Sequence, residues 1–323
     1  MNSITRKLVL SILTVVLTVV ALGTTTFAWF TLTNTSVIQP FQAQVVSDTG
    51  IEVAIGNTAD PLTLEWKTVL TTEDIYDYVE AAYPTGFQFE HVTTPDGFTF
   101  YDMSGGSVDG GWLQLPLHFR SDNEQQIMWN QVRLESTASS FRTPVTFVDS
   151  SGATRLANSQ FNTNLQDAMK ISVRGIIDRT EPMTYGVTAY ENITTGTYSG
   201  GWNDQDLRGV TEPFETVDEF GDPVIIDRYI GVNGAQNYYF RSTSTLPGEE
   251  VGPNGASAAV DTVNTETAIT EHLVLQMASG QTATADAEYY GTVMVYIWFE
   301  GWDAEAYNGL LGRIITIGLR FGV

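Results

Sequence analysis

The sequence predicts a mainly β protein, an antiparallel, jelly-roll-like β-sandwich with one or two short helices and long loop insertions. Three observations lead to this fold class. Many short stretches alternate apolar and polar side chains, which is typical of strands that bury one face. Turns rich in Gly, Asn, Asp and Ser separate these stretches. The chain is 42% hydrophobic and 11% aromatic, which is enough to build a large core.

The excess of acidic residues excludes some classes of binding partner. Acidic residues outnumber basic ones by 38 to 15, so that the formal net charge is −23, and the chain has no cysteine. A phosphate-binding protein needs a basic surface, so we expect neither nucleic acid nor an anionic membrane surface as a partner. Without cysteine, disulfides and thiol nucleophiles are excluded, and stability must come from the core.

The N-terminal stretch has the pattern of a secretory signal peptide. Basic residues precede the apolar run 8–22, and small residues follow it up to Ala28. We therefore predict a signal peptide over residues 1–28, cleaved between Ala28 and Trp29. An uncleaved membrane anchor is the alternative, because the aromatic residues that follow extend the apolar stretch to about 20 residues or more. The expected location is secreted or cell-surface, with membrane contact only during export unless the signal is kept.

Residues 29–47 are predicted to form an extended N-terminal arm. Phe30, Leu32 and Ile38 lie on one side of an alternating pattern, and Pro40 then interrupts it. A proline at this place favours an edge strand or a free arm. Cleavage would release the arm, which we expect to insert into the open sheet edge of a neighbouring copy or to fold back into its own sheet.

Residues 48–323 are predicted to form a single sandwich domain. Its insertions, near 95–111, 192–222 and 242–270, are polar and longer than ordinary connections. The alternating stretches predict strands over residues 41–46, 50–55, 62–66, 113–119, 126–135, 141–149, 170–177, 185–190, 224–230, 289–299 and 315–321.

Several of these elements carry more specific expectations. Residues 113–119 and 126–135 should form a hairpin, with Pro116 placing the first arm at a sheet edge. Residues 289–299 are apolar on both faces, as in a central strand that is covered on two sides. Short helices are predicted over residues 71–83, behind Thr72 as a cap, and over residues 161–169.

Both ends of the chain resemble a known group of proteins. Leu22-Gly-Thr-Thr-Thr-Phe-Ala-Trp-Phe resembles the export signal of the TasA/camelysin group, secreted proteins of Gram-positive bacteria and wall-less relatives. Val295-Tyr-Ile-Trp-Phe-Glu-Gly-Trp-Asp and residues 312–321 resemble the closing strands of exported proteins that share this signal. The resemblance implies a β-sandwich of matrix fibres or surface layers, although this chain is longer than typical members. Its camelysin side also implies a secreted protease.

The sequence offers no recognisable catalytic motif. Nucleophile elbows, phosphate-binding loops, dinucleotide-binding fingerprints and the zinc-protease signature are all absent from it, so we expect no enzymatic activity. His91, His118 and His272 are far apart along the chain. They are expected to be solvent-facing or singly hydrogen-bonded, with a shared metal site as the less favoured alternative.

One stretch has the spacing of a calcium loop. Asp204, Asp206, Glu212 and Glu215 occupy its first, third, ninth and twelfth positions, with a glycine at the sixth. Arg208 stands at the fifth position, where an oxygen ligand belongs, and the flanks lack helix patterns. An acidic, solvated loop is therefore the favoured alternative, and calcium is the one cofactor considered.

Two classes of function fit these observations best. The first is an exported structural subunit of an extracellular fibre, biofilm matrix or cell-surface layer, which self-assembles and contacts other surface or matrix proteins. The second is a surface binding module or adhesin for glycan or peptide ligands that uses Trp112 and Trp202. Exposed aromatic residues such as these and Trp29 are enriched at interfaces, whereas Trp298 is expected in the core. A secreted protease comes third.

Overall fold

The computed structural model describes residues 42–47, 50–58, 60–102, 105–192, 211–231, 233–245, 259–263, 266–268, 272–279, 287–307, 310 and 314–323. The predicted cleavage pair Ala28 and Trp29 and the arm residues Phe30, Leu32 and Ile38 lie outside these ranges. The described end of the predicted arm, Gln42–Ser47, is a strand.

The described residues form twenty strands and two α-helices. In chain order the strands are β1 (Gln42–Ser47), β2 (Glu52–Ile55), β3 (Val69–Leu70), β4 (His91–Val92), β5 (Trp112–Ser121), β6 (Gln126–Ser136), β7 (Ser139–Arg142), β8 (Phe147–Val148), β9 (Thr154–Arg155), β10 (Gln160–Thr163), β11 (Met169–Asp178), β12 (Thr184–Asn192), β13 (Thr211–Val217), β14 (Pro223–Tyr229), β15 (Ala259–Val263), β16 (Glu266–Ala268), β17 (Leu273–Gln276), β18 (Ala278–Ser279), β19 (Tyr289–Glu300) and β20 (Ile315–Gly322). The helices are α1 (Thr72–Ala82) and α2 (Ala235–Thr243).

Two large sheets contain most of these strands. Sheet A has the order β16-β6-β20-β1-β3, with β17 also paired to β6. Sheet B has the order β15-β12-β11-β19-β5-β2, with β4 and β18 also paired to β19. Most pairs are antiparallel, but β1 with β20, β12 with β15, and β4 with β19 are parallel. The small pairs β7-β10, β8-β9 and β13-β14 stand apart.

The two sheets pack face to face around one large core. Ring contacts cross between them, with Phe119 of β5 5.1 Å from Phe321 of β20 and Trp129 of β6 4.2 Å from Tyr190 of β12, centroid to centroid. Alternate side chains of the long strands fill the space between the sheets. They are Leu113, Leu115, Leu117, Phe119, Ile171, Val173, Val293, Val295, Ile297, Phe299, Val132, Leu134, Ile317, Leu319 and Phe321. The prediction of a mainly β sandwich with few helices is confirmed.

The strand β19 has the central place that its sequence predicts. It lies between β11 and β5, and its second apolar face, which includes Tyr296 and Trp298, belongs to a second core cluster. Phe100 completes that cluster from the segment 93–111 and stacks on Trp112 with ring centroids 4.4 Å apart. The predicted loop therefore covers part of the outer face of sheet B, because it supplies buried aromatic side chains.

The predicted hairpin of β5 and β6 is wrong. Both strands exist, but β5 pairs with β19 and β2 in sheet B, whereas β6 pairs with β20 in sheet A. The turn between them carries the chain across the core, with the Ser121 hydroxyl oxygen accepting hydrogen bonds from the backbone of Asn123 and Glu124. An alternating pattern shows that one face of a strand is buried. It does not show whether the next strand pairs beside it in the same sheet or lies in the sheet packed against that face.

Pro116 does not lie on an edge strand, since β5 has a neighbour on each side. Its carbonyl accepts a hydrogen bond from the backbone N–H of Gly56, one residue beyond the end of β2. The nitrogen and the carbonyl of a strand residue face the same neighbour. Pro116 therefore lacks its donor on the side of β2. Because β2 has already ended at this position, the pairing of β2 with β5 loses few hydrogen bonds.

Of the two predicted helices, only the first is confirmed. Helix α1 begins behind Thr71, not Thr72, because the Thr71 and Asp74 side chains form a reciprocal capping box. The predicted helix over residues 161–169 is instead strand β10 and a short 3-10 turn, Leu165–Ala168. Gln166 and Ser136 hydrogen-bond to each other's backbone there, which holds the turn against β6.

Three other predictions needed correction. Residues 62–66 form a 3-10 turn and irregular chain, because Asp60 caps the turn through Leu62 N and Pro61 starts it, and Leu62 is exposed. Residues 141–149 contain the two short strands β7 and β8 in place of one. Helix α2 and the strands β13, β15 and β16 lie within or beside the stretches that were predicted to be insertions without strands or helices.

Candidate functional site

The hairpin β13-β14 is anchored at its base by a charged network. Glu212 on β13 accepts hydrogen bonds from Arg228 on β14 at 2.6 Å and from Arg241 on α2 at 2.8 Å. These two bonds, that of Arg241 first, lower the pKa of Glu212. Helix α2 is itself fixed to the sandwich, because Asn237 accepts a hydrogen bond from the backbone of Val148 in β8.

One face of the hairpin is turned towards helix α2. The guanidinium carbon of Arg228 lies 4.0 Å from the ring centroid of Phe214 and 4.9 Å from that of Phe240, which belongs to α2. Glu212 lies on the same face, since it is directly opposite Arg228 in the strand pair. This face is partly buried, and it attaches the hairpin to the rest of the domain.

The other face of the hairpin carries three exposed apolar side chains, with the exposed acids Glu215 and Asp227 between them. Side chains alternate between the faces of a strand, so Val217 and the pair Ile225 and Tyr229 point away from α2. Their side chains are 62%, 69% and 45% exposed. We call these three residues the apolar hairpin face. A group of exposed apolar side chains on one ordered element often marks an interaction site.

The tip of the hairpin displays an aromatic ring among acids. Asp218 accepts hydrogen bonds from the backbone N–H of Phe220 and of Asp222, both at 2.9 Å. Gly221 takes a φ of +85° between them, a conformation that favours glycine. The ordered turn holds Phe220 in solvent, where it is 81% exposed, next to Glu219. Residues 218–222 are called the hairpin tip below.

A second candidate surface is a groove on the outer face of sheet B. It has a volume of about 320 Å³, and we call it the arginine groove. Its lining side chains come from β11, β12, β19 and the loop after β11, and include Arg174, Arg179, Tyr185, Tyr290, Thr292 and Met294. The cover formed by the segment 93–111 reaches the groove at Phe98, whose ring centroid is 4.2 Å from the Arg174 guanidinium carbon.

Both arginines of the groove are held in place. The Arg174 guanidinium lies between two rings, since its carbon is also 4.8 Å from the centroid of Tyr185. Arg179 donates from Nε to the carbonyl of Gln276, and its backbone N–H donates to the Gln276 side chain at 3.0 Å. Arg174 also hydrogen-bonds to the Tyr296 side chain, so ring stacking and hydrogen bonds together fix the position of both guanidinium groups.

The far wall of the groove is ordered by a buried histidine. His118 Nε2 is 2.8 Å from the carbonyl of Gly56, which requires Nε2 to donate. Nδ1 then accepts, and it lies 2.6 Å from Tyr290 Oη and 3.0 Å from Thr292 Oγ1. Burial lowers the pKa of His118, so the neutral form that can accept from Tyr290 is favoured. Tyr290 is thereby fixed in one rotamer.

A buried charged cluster lies at the end of β19. Lys170 Nζ is 3.5 Å from Asp303 Oδ2, and both side chains are almost completely buried. Glu300 is also buried and accepts hydrogen bonds from Trp298 Nε1 and from the backbone of Trp302. Burial raises the pKa of Asp303 and of Glu300, while the charge of Lys170 opposes the shift. This cluster belongs to the packing of the sandwich.

The calcium prediction falls partly outside the described residues. Asp204 and Asp206 lie outside them, whereas Glu212 and Glu215 are on strand β13, three residues apart. An extended strand turns such side chains to opposite faces, and Glu212 is already bonded to two arginines. Within the described ranges, no three His, Asp or Glu side chains are placed to hold a metal ion.

His118 differs from its prediction. It was expected to be solvent-facing or singly hydrogen-bonded, but it is buried and has partners on both ring nitrogens. His91 is buried and hydrogen-bonds to the backbone of Ala306. His91 stacks edge-on against Phe299. His118 lies in a predicted strand, and the alternation of that strand gave no sign that its side chain is covered.

The tryptophans divide as follows. Trp298 is buried, as predicted, but Trp112 is a partly buried member of the second core cluster. It therefore does not serve as an exposed ligand-binding ring. Trp29 and Trp202 lie outside the described residues. The sequence analysis missed the arginine groove and the apolar hairpin face, because neither is visible until the strand pairings are known.

Comparisons with protein-family models, with curated proteins and with solved structures found no match to this chain. Among the residues with described positions, no helix is both long enough and apolar enough to span a membrane. The function must therefore be argued from the two candidate surfaces and from the sequence.

Proposed function

We propose that this protein is an exported structural subunit that self-assembles into an extracellular fibre, biofilm matrix or cell-surface layer. The apolar hairpin face carries the proposal. Val217, Ile225 and Tyr229 stand in solvent on a hairpin that is firmly tied to the sandwich at its base. An isolated two-stranded hairpin is marginally stable in water, and a partner on its bare face would stabilise it.

The sequence supports the location at which such an assembly would form. The N-terminal signal pattern and the resemblance of both chain ends to the TasA/camelysin group favour a secreted or cell-surface protein. The N-terminal arm, with Phe30, Leu32 and Ile38, offers a second contact between copies by strand insertion. Other surface or matrix proteins would bind to the finished assembly.

Negative-stain electron microscopy of the mature protein, before and after incubation at high concentration, tests the proposal. We expect fibres or sheets from the native sequence. The double substitution Val217→Ser and Ile225→Ser should prevent them, because it makes the apolar hairpin face polar. Leu62→Ser is the matched control, since Leu62 is 64% exposed on a 3-10 turn elsewhere in the domain.

The result can contradict the proposal in two ways. Native protein that stays monomeric at high concentration overturns the proposed self-assembly. Assembly that is unaffected by the double substitution shows that the apolar hairpin face is not the contact surface. Deletion of residues 29–39 tests the arm separately. A folded, monomeric truncation would identify the arm as the assembling segment.

A surface binding module is the second candidate, and the arginine groove favours it. Two guanidinium groups beside tyrosine rings suit an acidic glycan or an acidic peptide. A glycan array with the native protein and with Arg179→Gln would distinguish this candidate. Saturable binding of acidic sugars that is lost in the variant supports an adhesin.

A further inference from the structure

The arginine groove holds two cations that lack an acidic partner in a strongly acidic protein. Within the described part of the chain, no carboxylate lies within 4.0 Å of the guanidinium of Arg174 or Arg179. The chain has 38 acidic residues to choose from. Five other arginines do have such a partner, namely Arg120, Arg133, Arg155, Arg228 and Arg241.

The atoms around these arginines define the chemistry of a ligand that would fit the groove. The Nε of Arg174 is buried and lacks a hydrogen-bond partner among the described residues. Tyr185 and Met294 add apolar and aromatic surface beside it, and Tyr290 adds a fixed ring. A carboxylate that is accompanied by an aromatic or apolar side chain would satisfy both parts of the groove.

The hairpin tip of the same protein has that composition. Phe220 is the most exposed of the large apolar side chains with described positions, and Glu219 and Asp222 stand on either side of it. Asp218 is engaged within the turn, so the tip is presented in one conformation and little order must be gained on binding. Its charge is opposite to that of the groove.

We infer that the hairpin tip of one copy docks in the arginine groove of a second copy. Phe220 packs against Tyr185 and Met294, and the carboxylates beside it bond to Arg174 and Arg179. The inference rests on the proposed self-assembly and names the two surfaces that meet. The apolar hairpin face lies beside the contact, because Val217 directly precedes the tip. Because these surfaces differ, the contact is head-to-tail and continues into a filament or closes into a ring.

A mixing experiment with full-length mature chains tests this contact. The tip variant carries Phe220→Ala and Glu219→Gln, and the groove variant carries Arg179→Gln and Tyr185→Glu. Each variant alone should self-associate about 30-fold more weakly than the native protein, as for the loss of an interface hot spot. An equimolar mixture should form a 1:1 dimer, because one intact tip and one intact groove remain. Analytical ultracentrifugation measures both.

Matched controls separate this contact from unspecific effects. Leu156→Ala removes an apolar side chain that is 65% exposed elsewhere, and Arg142→Gln removes an arginine that bonds to Asn158 and Gln160. Both controls should assemble like the native protein. Thermal unfolding of every variant shows that the sandwich is intact, because the substituted side chains lie at the surface.

The outcomes distinguish this inference from the function on which it rests. A mixture that is no more associated than the separate variants overturns the docking, even where native protein assembles. A groove variant that dimerises alone indicates contact between two hairpins, which also overturns it. Native protein that remains monomeric overturns both the docking and the proposed function. A 1:1 dimer that forms only in the mixture supports the docking.

Discussion

The sandwich and the hairpin β13-β14 both consist of strands with apolar side chains. The sandwich buries these side chains, whereas the hairpin leaves several of them exposed. In sheet B, the C-terminal half of strand β19 buries both faces, one against sheet A and one within the second core cluster with Phe100. In the hairpin, one face contacts α2 and the other leaves Ile225 and Tyr229 in solvent. Exposed apolar side chains that are grouped on one ordered element often mark an interaction site.

The largest effect on folding is expected at Lys170, within the sandwich. Lys170→Met should lower the free energy of unfolding by about 3–5 kcal/mol at neutral pH, because it leaves buried acidic groups without their cation. Chemical denaturation measures the loss. Lys67→Met, at partly exposed ion pairs, is the control and should change stability far less. Equal losses in the two variants would contradict the assignment of Lys170 to a buried cluster.

The same substitution in the two regions tests the comparison directly. Ile297→Ala, in the core, should lower the free energy of unfolding by about 2–5 kcal/mol. Ile225→Ala, on the apolar hairpin face, should change it by less than about 0.5 kcal/mol and should weaken assembly instead. Chemical denaturation of both variants measures the change in stability, and sedimentation measures the change in assembly. A large loss of stability from Ile225→Ala would mean that the face is covered within one chain.

Acid should weaken the sandwich through His91. Burial lowers the pKa of His91 from 6.5 to about 4, so the folded state resists its protonation. The stabilising effect is complete above pH 6.5 and is lost as the pH falls towards 4, by about 3 kcal/mol in total. His91→Phe, which keeps the contact with Phe299, should flatten this part of the stability profile in denaturation at a series of pH values. An equally steep profile in the variant would contradict it.

The smallest effect is expected at the base of the hairpin. Glu212→Gln removes a partly exposed carboxylate that bonds to Arg228 and Arg241, at a cost of less than about 1 kcal/mol. Hydrogen exchange should accelerate in the hairpin residues 211–229 while the sandwich strands stay protected. Uniform acceleration across the domain would show that the hairpin is part of the cooperative core.

Long, strongly patterned strands could be predicted from the sequence. Residues 289–299 and 315–321 are found as β19 and β20, because burial on both faces or on one face leaves a clear pattern over many residues. The pattern could not predict partners, so β5 and β6 were paired wrongly. Short elements also failed, as at residues 161–169, where contacts from Ser136 decide the local conformation.

The two candidate surfaces could not be predicted without the strand registers. Arg174 lies opposite Met294, and Tyr185 lies opposite Ile176, so the groove gathers side chains from strands that are far apart in the sequence. One strand of the hairpin was predicted, since residues 224–230 correspond to β14. Its partner β13 was hidden in a stretch that looked like a calcium loop, because acids and turn residues dominate its composition.

The parallel pairing of β1 with β20 constrains when the protein can fold. Gln42 lies opposite Thr316, so the middle of sheet A needs both ends of the described chain at once. During synthesis β1 would wait until the ribosome has released the last strand, and contacts of such long sequence separation form slowly. Sheet A would therefore stay incomplete until the last strand has been made, while local pairs such as β11-β12 and β13-β14 need no distant segment.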